Sequence, residues 1–303
     1  MKGDLTGDRP RSVALIGPGR AGTSVARALL ASGWDVTSVA GSTPSSATAT
    51  QFAAEVGATR AETPGEAARL ADVVVIAVPD HAIAEVGSSL AAESGTGPMQ
   101  AAYFGHLSGA VGSSALSALS DAGKSVFGFH PVLPFASRQV SPSVFESAPV
   151  AISGDSEGIE LARTMAESIG ASAFVVADED RVLYHAACVL ASNALVALEG
   201  VAFEVAKAAG ISDPAAVLLP LVKATVSNLE EKVPGEALTG PVARGDVMTV
   251  ESHISELDRI SASAAEIYRV LSAEAADLAA GLDESARTKL IAALSRRAQG
   301  DAA

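Results

Sequence analysis

The chain has 303 residues, 49% of them hydrophobic, and a formal net charge of −14. This length allows one large domain or two ordinary ones with a full core, so disorder away from the ends is not expected. The acidic balance and the lack of a Lys or Arg block argue against binding to nucleic acid or to an anionic membrane.

Cysteine use and the apolar stretches indicate the compartment. Cys188 is the single cysteine, so an intramolecular disulfide and a secreted disulfide scaffold are excluded. The polar first eleven residues lack the apolar core of a signal peptide, and charged or polar residues interrupt the longest apolar stretches. We therefore expect a soluble cytoplasmic protein, and the sequence predicts no metal site.

The first half of the chain alternates strand and helix patterns. Asp72–Val78 is a β-branched run that is apolar on both faces, as a central parallel strand requires. Strands are predicted at residues 12–16, 35–40, 72–78, 99–104, 125–129, 149–153 and 172–176. Helices are predicted up to residue 32 after the first strand and at 46–56, 111–122 and 157–169. This order predicts an α/β fold with a doubly wound Rossmann sheet.

The second half contains helix patterns only. Helices are predicted at residues 179–209, 214–232, 246–257, 261–282 and 284–299. We therefore divide the chain into a dinucleotide-binding domain, residues 1–177, and an all-helical domain for substrate binding and dimerisation, residues 178–303.

A glycine-rich turn joins the first predicted strand to the first helix. Its residues are Gly17, Pro18, Gly19, Arg20, Ala21 and Gly22. In a Rossmann unit the first glycine allows the tight turn, the second lets the backbone approach a pyrophosphate, and the third lets the helix pack on the strand. The helix N-terminus adds free N–H groups and a partial positive charge. The position between a strand and a helix predicts dinucleotide binding rather than an incidental turn.

The loop after the second predicted strand bears on the choice of cofactor. NAD-specific sites usually carry Asp or Glu there, and this loop has no acid. A 2′-phosphate is then not repelled, and the hydroxyls of Ser42, Thr43 and Ser45 could donate hydrogen bonds to it. NADP is therefore favoured over NAD, although no Arg occupies the loop and the three residues could simply form a turn.

Polar residues cluster where three predicted strands end, at the edge of a parallel sheet where ligands bind. Val78 and Pro79 end one run and are predicted to contact the cofactor. His106 and Ser108 follow the next strand, and His130 follows the one after. We expect His106 and Ser108 to line the substrate pocket and His130 to act in catalysis, although a loop histidine can equally be a surface residue.

A second polar set lies early in the long predicted helix. At 3.6 residues per turn, His185, Ser192 and Asn193 share one face. A buried polar group without a partner costs about 1–3 kcal/mol. Two explanations stay open, a His–Asn hydrogen bond in the core and a site that faces the sheet edge, and we favour the site. Cys188 lies on a neighbouring face and is expected to be a small buried apolar residue.

Thr239 and Arg244 lie in a loop that Gly and Pro residues fix, between two predicted helices. An Arg in such a loop can bind a carboxylate through two hydrogen bonds, so we predict that both residues bind the substrate. A plain surface position for Arg244 stays open. Asp246 is expected to cap the next helix.

These motifs resemble those of Rossmann-like oxidoreductases with a helical second domain, related to pyrroline-5-carboxylate reductases, ketopantoate reductases and β-hydroxyacid dehydrogenases. The matching stretches are residues 17–22, 78–80, 106–109, 129–131, 184–193 and 238–246. The resemblance implies a helical domain like that of 6-phosphogluconate dehydrogenase, a nicotinamide dinucleotide on the first domain, a substrate between the domains and a homodimer.

One departure from the family bears on mechanism. β-Hydroxyacid dehydrogenases carry a catalytic Lys four residues before an Asn on this helix, and here Val189 stands at that position. The proton donor is then expected to be His185, one turn earlier, or a strand-end histidine. We favour His185, with Ser192 and Asn193 orienting it or the substrate. The expected reaction is reduction of a small carboxylated carbonyl compound by NADPH, with ketopantoate as the substrate by resemblance. A cyclic-imine reductase, a dinucleotide sensor without turnover and a deazaflavin cofactor remain alternatives.

Overall fold

The computed structural model describes residues 11–95 and 97–296, and the chain divides into two compact units, residues 1–192 and 193–303. The last strand ends at Val175, and the helical residues up to Ser192 belong to the first unit together with the sheet. The predicted domain boundary at residue 177 stays a prediction.

One sheet of eight strands forms the centre of the first unit. The strands are β1 (Ser12–Ile16), β2 (Asp35–Ala40), β3 (Thr59–Ala61), β4 (Val73–Ile76), β5 (Tyr103–His106), β6 (Ser125–Pro131), β7 (Pro149–Gly154) and β8 (Ser172–Val175). Their order is β3-β2-β1-β4-β5-β6-β7-β8, and every pair is parallel except β6 and β7. The predicted doubly wound Rossmann sheet is confirmed, and its order reverses between β1 and β4, where such sheets bind ligands.

Helices cover both faces of this sheet. They are α1 (Arg20–Ala31), α2 (Ala47–Val56), α3 (Pro64–Ala68), α4 (Ile83–Ser94), α5 (Ser117–Asp121), α6 (Ser156–Ser168) and α7 (Arg181–Val189). One apolar core joins the sheet to α1, α2 and α6, and a second joins the other face to α3, α4 and α5. All of β4 is buried, as its continuous β-branched sequence predicts.

Three details differ from the sequence prediction. The three-residue β3 and the short α3 were not predicted, because both are shorter than the windows over which strand and helix patterns are recognised. The strand expected at 99–104 lies at Tyr103–His106. Gly105 continues this strand, and the ring of Phe127 packs against its α-carbon. The helix expected at 111–122 is a 3₁₀ turn, Ser113–Leu116, followed by α5.

The second unit is helical, as predicted. Its helices are α8 (Leu195–Ala208), α9 (Pro214–Glu231), α10 (Pro234–Ala237), α11 (Val247–Ile260), α12 (Ala262–Leu278) and α13 (Glu284–Leu294). Val250, Ile254 and Leu290 are in the small core that joins α11, α12 and α13. The helix predicted for 284–299 ends at Leu294, and its residues 297–299 lie outside the described residues.

The helical stretch 178–208 is long and apolar enough to cross a membrane by length and composition, with a mean hydropathy of 1.8 over its most apolar window. Polar residues do interrupt this stretch, as expected, but they do not lower its hydropathy below that of a possible span. A single helix of this kind is weak evidence for a membrane span, because core helices of soluble proteins meet the same criterion.

Candidate active site

The glycine turn is held between the ends of two strands. Gly17 has φ +87°, and a Cβ there would lie 2.7 Å from the carbonyl oxygen of Ala77. A Cβ on Gly22 would lie 2.8 Å from Cβ of Ala77, so this glycine allows α1 to pack closely on β4. At Gly19, by contrast, no described atom lies within 4 Å of the position of a Cβ. The turn is tight on the protein side and open at Gly19, which fits the approach of a pyrophosphate.

The other predicted cofactor residues surround this turn. Pro18 is buried, and the Arg20 guanidinium is exposed and donates to the carbonyl oxygen of Ala136 at 3.4 Å. Val78 lies against Gly17, and Pro79 begins an exposed 3₁₀ turn. Ala21 is half-buried in the first turn of α1. Their contacts with a cofactor stay predictions.

The predicted hydroxyl residues of the β2 loop, Ser42, Thr43 and Ser45, are exposed. The loop is joined to the glycine turn, because the N–H of Gly17 donates to the carbonyl oxygen of Ala40 at 2.9 Å. Sequence reasoning found no Arg for this loop, but Arg60 reaches it from the neighbouring strand β3. To find Arg60 from the sequence, one would have needed the register in which β3, a strand of three residues, pairs with β2.

Three aromatic side chains meet beyond the end of β6. Nδ1 of His130 and the hydroxyl oxygen of Tyr184 are 2.9 Å apart. The rings of His130 and His185 lie edge to face with centroids 5.5 Å apart. The sheet edge thus brings together the two predicted catalytic histidines, His130 from β6 and His185 from α7, with Tyr184, for which no role was predicted.

Gly109 forms the floor beneath the two histidines. A Cβ on Gly109 would lie 2.8 Å from Nε2 of His130 and would also overlap Nδ1 of His185. Nδ1 of His185 is buried, and no described residue hydrogen-bonds to it. Ring nitrogens from two elements therefore converge on one glycine at the carboxyl end of β5, where the position of the missing Cβ gives them room.

His106 and Ser108 organise the loop that carries Gly109. His106 is completely buried, and its Nε2 lies 3.0 Å from the carbonyl oxygen of Gly112. Oγ of Ser108 accepts a hydrogen bond from the N–H of Val111 at 3.0 Å. The prediction that His106 lines the substrate pocket is corrected, because its side chain has no surface to offer. The substrate contact of Ser108, which is 8% exposed, stays a prediction.

Arg181 and Asp178 tie the same loop to the sheet, and sequence reasoning missed both. The guanidinium of Arg181 is completely buried and donates to the carbonyl oxygens of Ser108 (3.1 Å) and Ala151 (3.2 Å). The carboxylate of Asp178 accepts from the backbone N–H groups of Ser113 (2.9 Å) and Ser114 (2.8 Å). These bonds fix the loop over which the two imidazoles lie. Arg181 stands four residues before His185, a helical spacing that could have indicated it.

The environment sets the charge state of the site. Burial, with the cationic influence of His185 and Arg181, lowers the pKa of His130 to about 4. Burial also raises the pKa of the Tyr184 hydroxyl. Burial alone would raise the pKa of Asp178, but hydrogen bonds from the Ser114 and Ser113 N–H groups lower it to about 2. At neutral pH the site therefore contains a neutral His130, a protonated Tyr184 and an ionised Asp178.

The helix that carries His185 contains a π turn at Leu190–Ala194. This turn interrupts the 3.6-residue period from which a shared face of His185, Ser192 and Asn193 was predicted, so that face no longer follows from the spacing. Ser192 is half-buried and Asn193 is exposed. Cys188 is half-buried rather than buried, which corrects the expectation of a core position.

The remaining predicted residues lie in the second unit. Thr239 and Arg244 are exposed, in a loop whose Gly240 and Gly245 have φ of +92° and +71°. Asp246 caps α11 as predicted, because its carboxylate accepts from the N–H of Thr249 at 3.1 Å. Substrate binding by Thr239 and Arg244 stays a prediction.

Solved structures with this fold include oxidoreductases. A Bacteroides fragilis protein provisionally described as an NADP oxidoreductase is 22% identical, with a TM-score of 0.73 over 88% of this chain and 98% of that chain. The Streptomyces aurantiacus imine reductase is 20% identical, with a TM-score of 0.66 over 92% and 99%. The Streptococcus pyogenes 1-pyrroline-5-carboxylate reductase is 15% identical, with a TM-score of 0.55 over 88% and 98%. At these identities the likeness shows the fold.

Family models match two parts of the chain, while no curated protein sequence matches it. Residues 148–275 match a domain of unknown function (DUF2520), which begins at the antiparallel strand β7 and extends through α11 into α12. Residues 12–97 match the model described as NADP oxidoreductase coenzyme F420-dependent. The resemblance expected from the sequence is thus confirmed: the chain joins a Rossmann segment of the NADP oxidoreductase type to a helical domain of the DUF2520 type.

Proposed function

We propose that this protein is an NADP(H)-dependent reductase of a small carboxylated molecule with a polarised C=O or C=N bond. The single observation that carries the proposal is the convergence of His130, His185 and Tyr184 over Gly109. This cluster lies at the carboxyl ends of β5 and β6, on the side of the sheet order reversal where Rossmann enzymes hold the reactive ring of their cofactor.

The glycine turn and the β2 loop would hold the cofactor, and when bound it supplies a hydride to the substrate carbon. Gly19 would approach the pyrophosphate, and the hydroxyls of Ser42 and Thr43 would face the adenosine ribose. The matched model names both NADP and coenzyme F420, a deazaflavin, so a deazaflavin is the second cofactor to test.

Three side chains would then handle charge and protons at the substrate. Tyr184 stays protonated and can donate to Nδ1 of His130, which leaves the ring proton of His130 on Nε2, beside Gly109. A neutral imidazole in this position can donate a hydrogen bond to a substrate oxygen as negative charge develops on it. His185 is the proposed proton donor. In the second unit, Arg244 and Thr239 are the residues proposed to bind a carboxylate.

Two substrate classes follow from different observations. A ketone needs a proton on the oxygen that the reaction creates, and the presence of two imidazoles, His130 and His185, as donors favours a ketone such as ketopantoate. An imine accepts a proton before reduction and needs fewer donors. Similarity in fold to an imine reductase and to a pyrroline-5-carboxylate reductase favours the imine instead.

Turnover with each substrate decides between these classes. Purified protein is mixed with NADPH or NADH and with ketopantoate or pyrroline-5-carboxylate, and loss of absorbance of the reduced nicotinamide is followed. Oxidation that needs one substrate and prefers NADPH would establish reaction class and cofactor together. A reduced deazaflavin is tested as the hydride donor in the same way. If NADPH binds but neither donor reduces any of the substrates, the protein is better explained as a dinucleotide sensor.

His185→Ala tests the proposed proton donor. We expect turnover to fall by about 100- to 10,000-fold, because a positioned acid contributes that factor, while NADPH affinity stays the same. The control is His81→Ala, which removes an exposed histidine of the same first unit. Near-normal turnover in His185→Ala would remove His185 from the mechanism.

A homodimer is also proposed, on the apolar surface of the second unit. Val196 of α8 and Val217 and Leu221 of α9 are 72%, 54% and 63% exposed. Such surface usually marks an interface, and a second copy is the proposed occupant. Light scattering after size exclusion should give the dimer mass for the wild type and a monomer for Leu221→Asp. Val270→Asp, at an equally exposed apolar position of α12, should stay dimeric.

A further inference from the structure

Arg60 lies beside the β2 loop, although the loop contains no cation of its own. It belongs to β3, where it pairs with Val39 of β2. Its Nη2 donates to the carbonyl oxygens of Thr43 (3.0 Å) and Pro44 (2.9 Å), and its Nη1 donates to that of Val39 at 3.5 Å. The guanidinium is thus held against the backbone of residues 39–44.

These contacts do not neutralise the charge of Arg60. All three partners are neutral carbonyl groups, and among the described residues no carboxylate forms an ion pair with Arg60. Of its five N–H groups, one on Nη1 is still free, and Nε–H is buried without a partner in the described chain. A full positive charge with spare donor capacity therefore sits at the end of β2.

The loop adds neutral donors around this charge. The hydroxyl oxygens of Thr43 and Ser45 lie 3.5 Å apart, and both residues are exposed. Ser46 caps α2 with its own side chain. The same loop is joined to the pyrophosphate turn through the bond from Gly17 to Ala40. A dinucleotide whose pyrophosphate lies on the glycine turn would bring the 2′ position of its adenosine ribose to this loop.

We propose that Arg60 is the residue that selects NADP(H) over NAD(H), by favouring a 2′-phosphate at the β2 loop. Its charge reaches the loop from the neighbouring strand, in place of the Arg that NADP sites often carry in the loop itself. Because Nη2 is engaged by Thr43 and Pro44, Arg60 also positions the loop hydroxyls. The inference rests on the proposed dinucleotide binding and requires no turnover.

Nucleotide binding without substrate tests this inference. The probes are adenosine 2′,5′-bisphosphate and 5′-AMP, which differ only in the 2′-phosphate, with NADPH and NADH as a second pair, all measured by calorimetry or fluorescence. Arg60→Met should weaken binding of the bisphosphate and of NADPH by about 10- to 100-fold, the effect of losing a charged partner. Binding of 5′-AMP and NADH should change less than about twofold. Arg60→Lys, which keeps the charge, should fall between.

Arg163→Met is the matched control. Arg163 donates to one backbone carbonyl, that of Ala173, at 3.5 Å, and it lies on α6 beside β8, at the opposite edge of the sheet from β3. It should leave the affinity for all four nucleotides unchanged. Equal losses for the nucleotides with and without a 2′-phosphate in Arg60→Met, or no loss for either, would overturn the role of Arg60 alone. A wild type that binds none of the four would overturn the dinucleotide proposal and this one with it.

Discussion

Two histidine–tyrosine pairs in this protein have the same internal geometry. In the first unit, Nδ1 of His130 lies 2.9 Å from the hydroxyl oxygen of Tyr184, with the rings at 83°. In the second unit, Nδ1 of His253 lies 2.9 Å from the hydroxyl oxygen of Tyr268, with the rings at 84°. A search for hydrogen-bonded side-chain pairs would not separate one from the other.

Their surroundings differ. His253 is exposed on α11, and its bond to Tyr268 links that helix to α12. His130 is half-buried at a strand end, with a second imidazole, a glycine floor and the buried guanidinium of Arg181 around it. A histidine–tyrosine pair is therefore a candidate site only where other functional groups converge on it.

The largest difference in turnover is expected when the histidine of each pair, His130 or His253, is replaced by alanine in a separate variant. His130→Ala should lower turnover of the best substrate by about 100- to 1,000-fold, because it removes a hydrogen-bond donor to the developing charge. His253→Ala, which breaks a pair of identical geometry, should change turnover less than about twofold and lower only the melting temperature. Steady-state kinetics and thermal unfolding of both variants check this.

Similar losses of turnover in the two variants would show that the pairs are equivalent and that convergence over Gly109 has no special role. Nucleotide affinity separates chemistry from binding here. Nucleotide affinity should stay the same in His130→Ala. His130 lies near the carboxyl end of β6, and β4 and β5 separate β6 from β1, which the glycine turn follows.

Acid stability gives the second prediction. Burial lowers the pKa of His106 and of His130 from 6.5 to about 4, so between these values the unfolded chain binds protons that the folded chain does not. The associated stability is fully present above about pH 6.5 and is lost as pH falls toward 4, by about 3 kcal/mol for each histidine at most. Denaturant unfolding from pH 7 to pH 4 measures the slope.

Asn cannot titrate, so His130→Asn and His106→Asn should each reduce this slope, and by similar amounts. The variants are compared by the slope of the unfolding free energy against pH, because each substitution also changes the unfolding free energy at pH 7. A slope equal to that of the wild type in both variants would mean that neither histidine is excluded from protonation in the folded state.

The sequence predicted the fold well and the site in part. β4 and the glycine turn follow from local patterns, since a continuous β-branched run and a six-residue glycine motif depend on few distant contacts. The three-residue β3 has no such pattern. Arg60 was missed for this reason, because its approach to the β2 loop depends on the pairing of two strands that are separated in sequence.

Prediction of the site residues from local sequence patterns has the same limit. His130 was expected at a strand end and His185 on a helix face directed at the sheet edge, and their rings do meet, with centroids 5.5 Å apart. The same reasoning was wrong for His106, which has the same kind of position and turns into the loop to contact Gly112. The sequence spacing also carried no warning of the π turn, since counting at 3.6 residues per turn assumes regular α-helical hydrogen bonds throughout.

The smallest effect is expected from removing the two tyrosine hydroxyls. Tyr184→Phe and Tyr268→Phe should each cost about 1 kcal/mol of unfolding free energy, the net value of one hydrogen bond. Only Tyr184→Phe should also lower turnover, by less than about tenfold, because His130 keeps its place over Gly109 but loses the partner that fixes its ring proton.

Combining each tyrosine variant with the histidine variant of the same pair completes the comparison. The effects of Tyr184→Phe and His130→Ala on turnover should be strongly non-additive, since both act through one ring. Additive effects in the first pair would mean that the hydroxyl and the imidazole act separately, and the first pair would then resemble the second in function as it does in geometry.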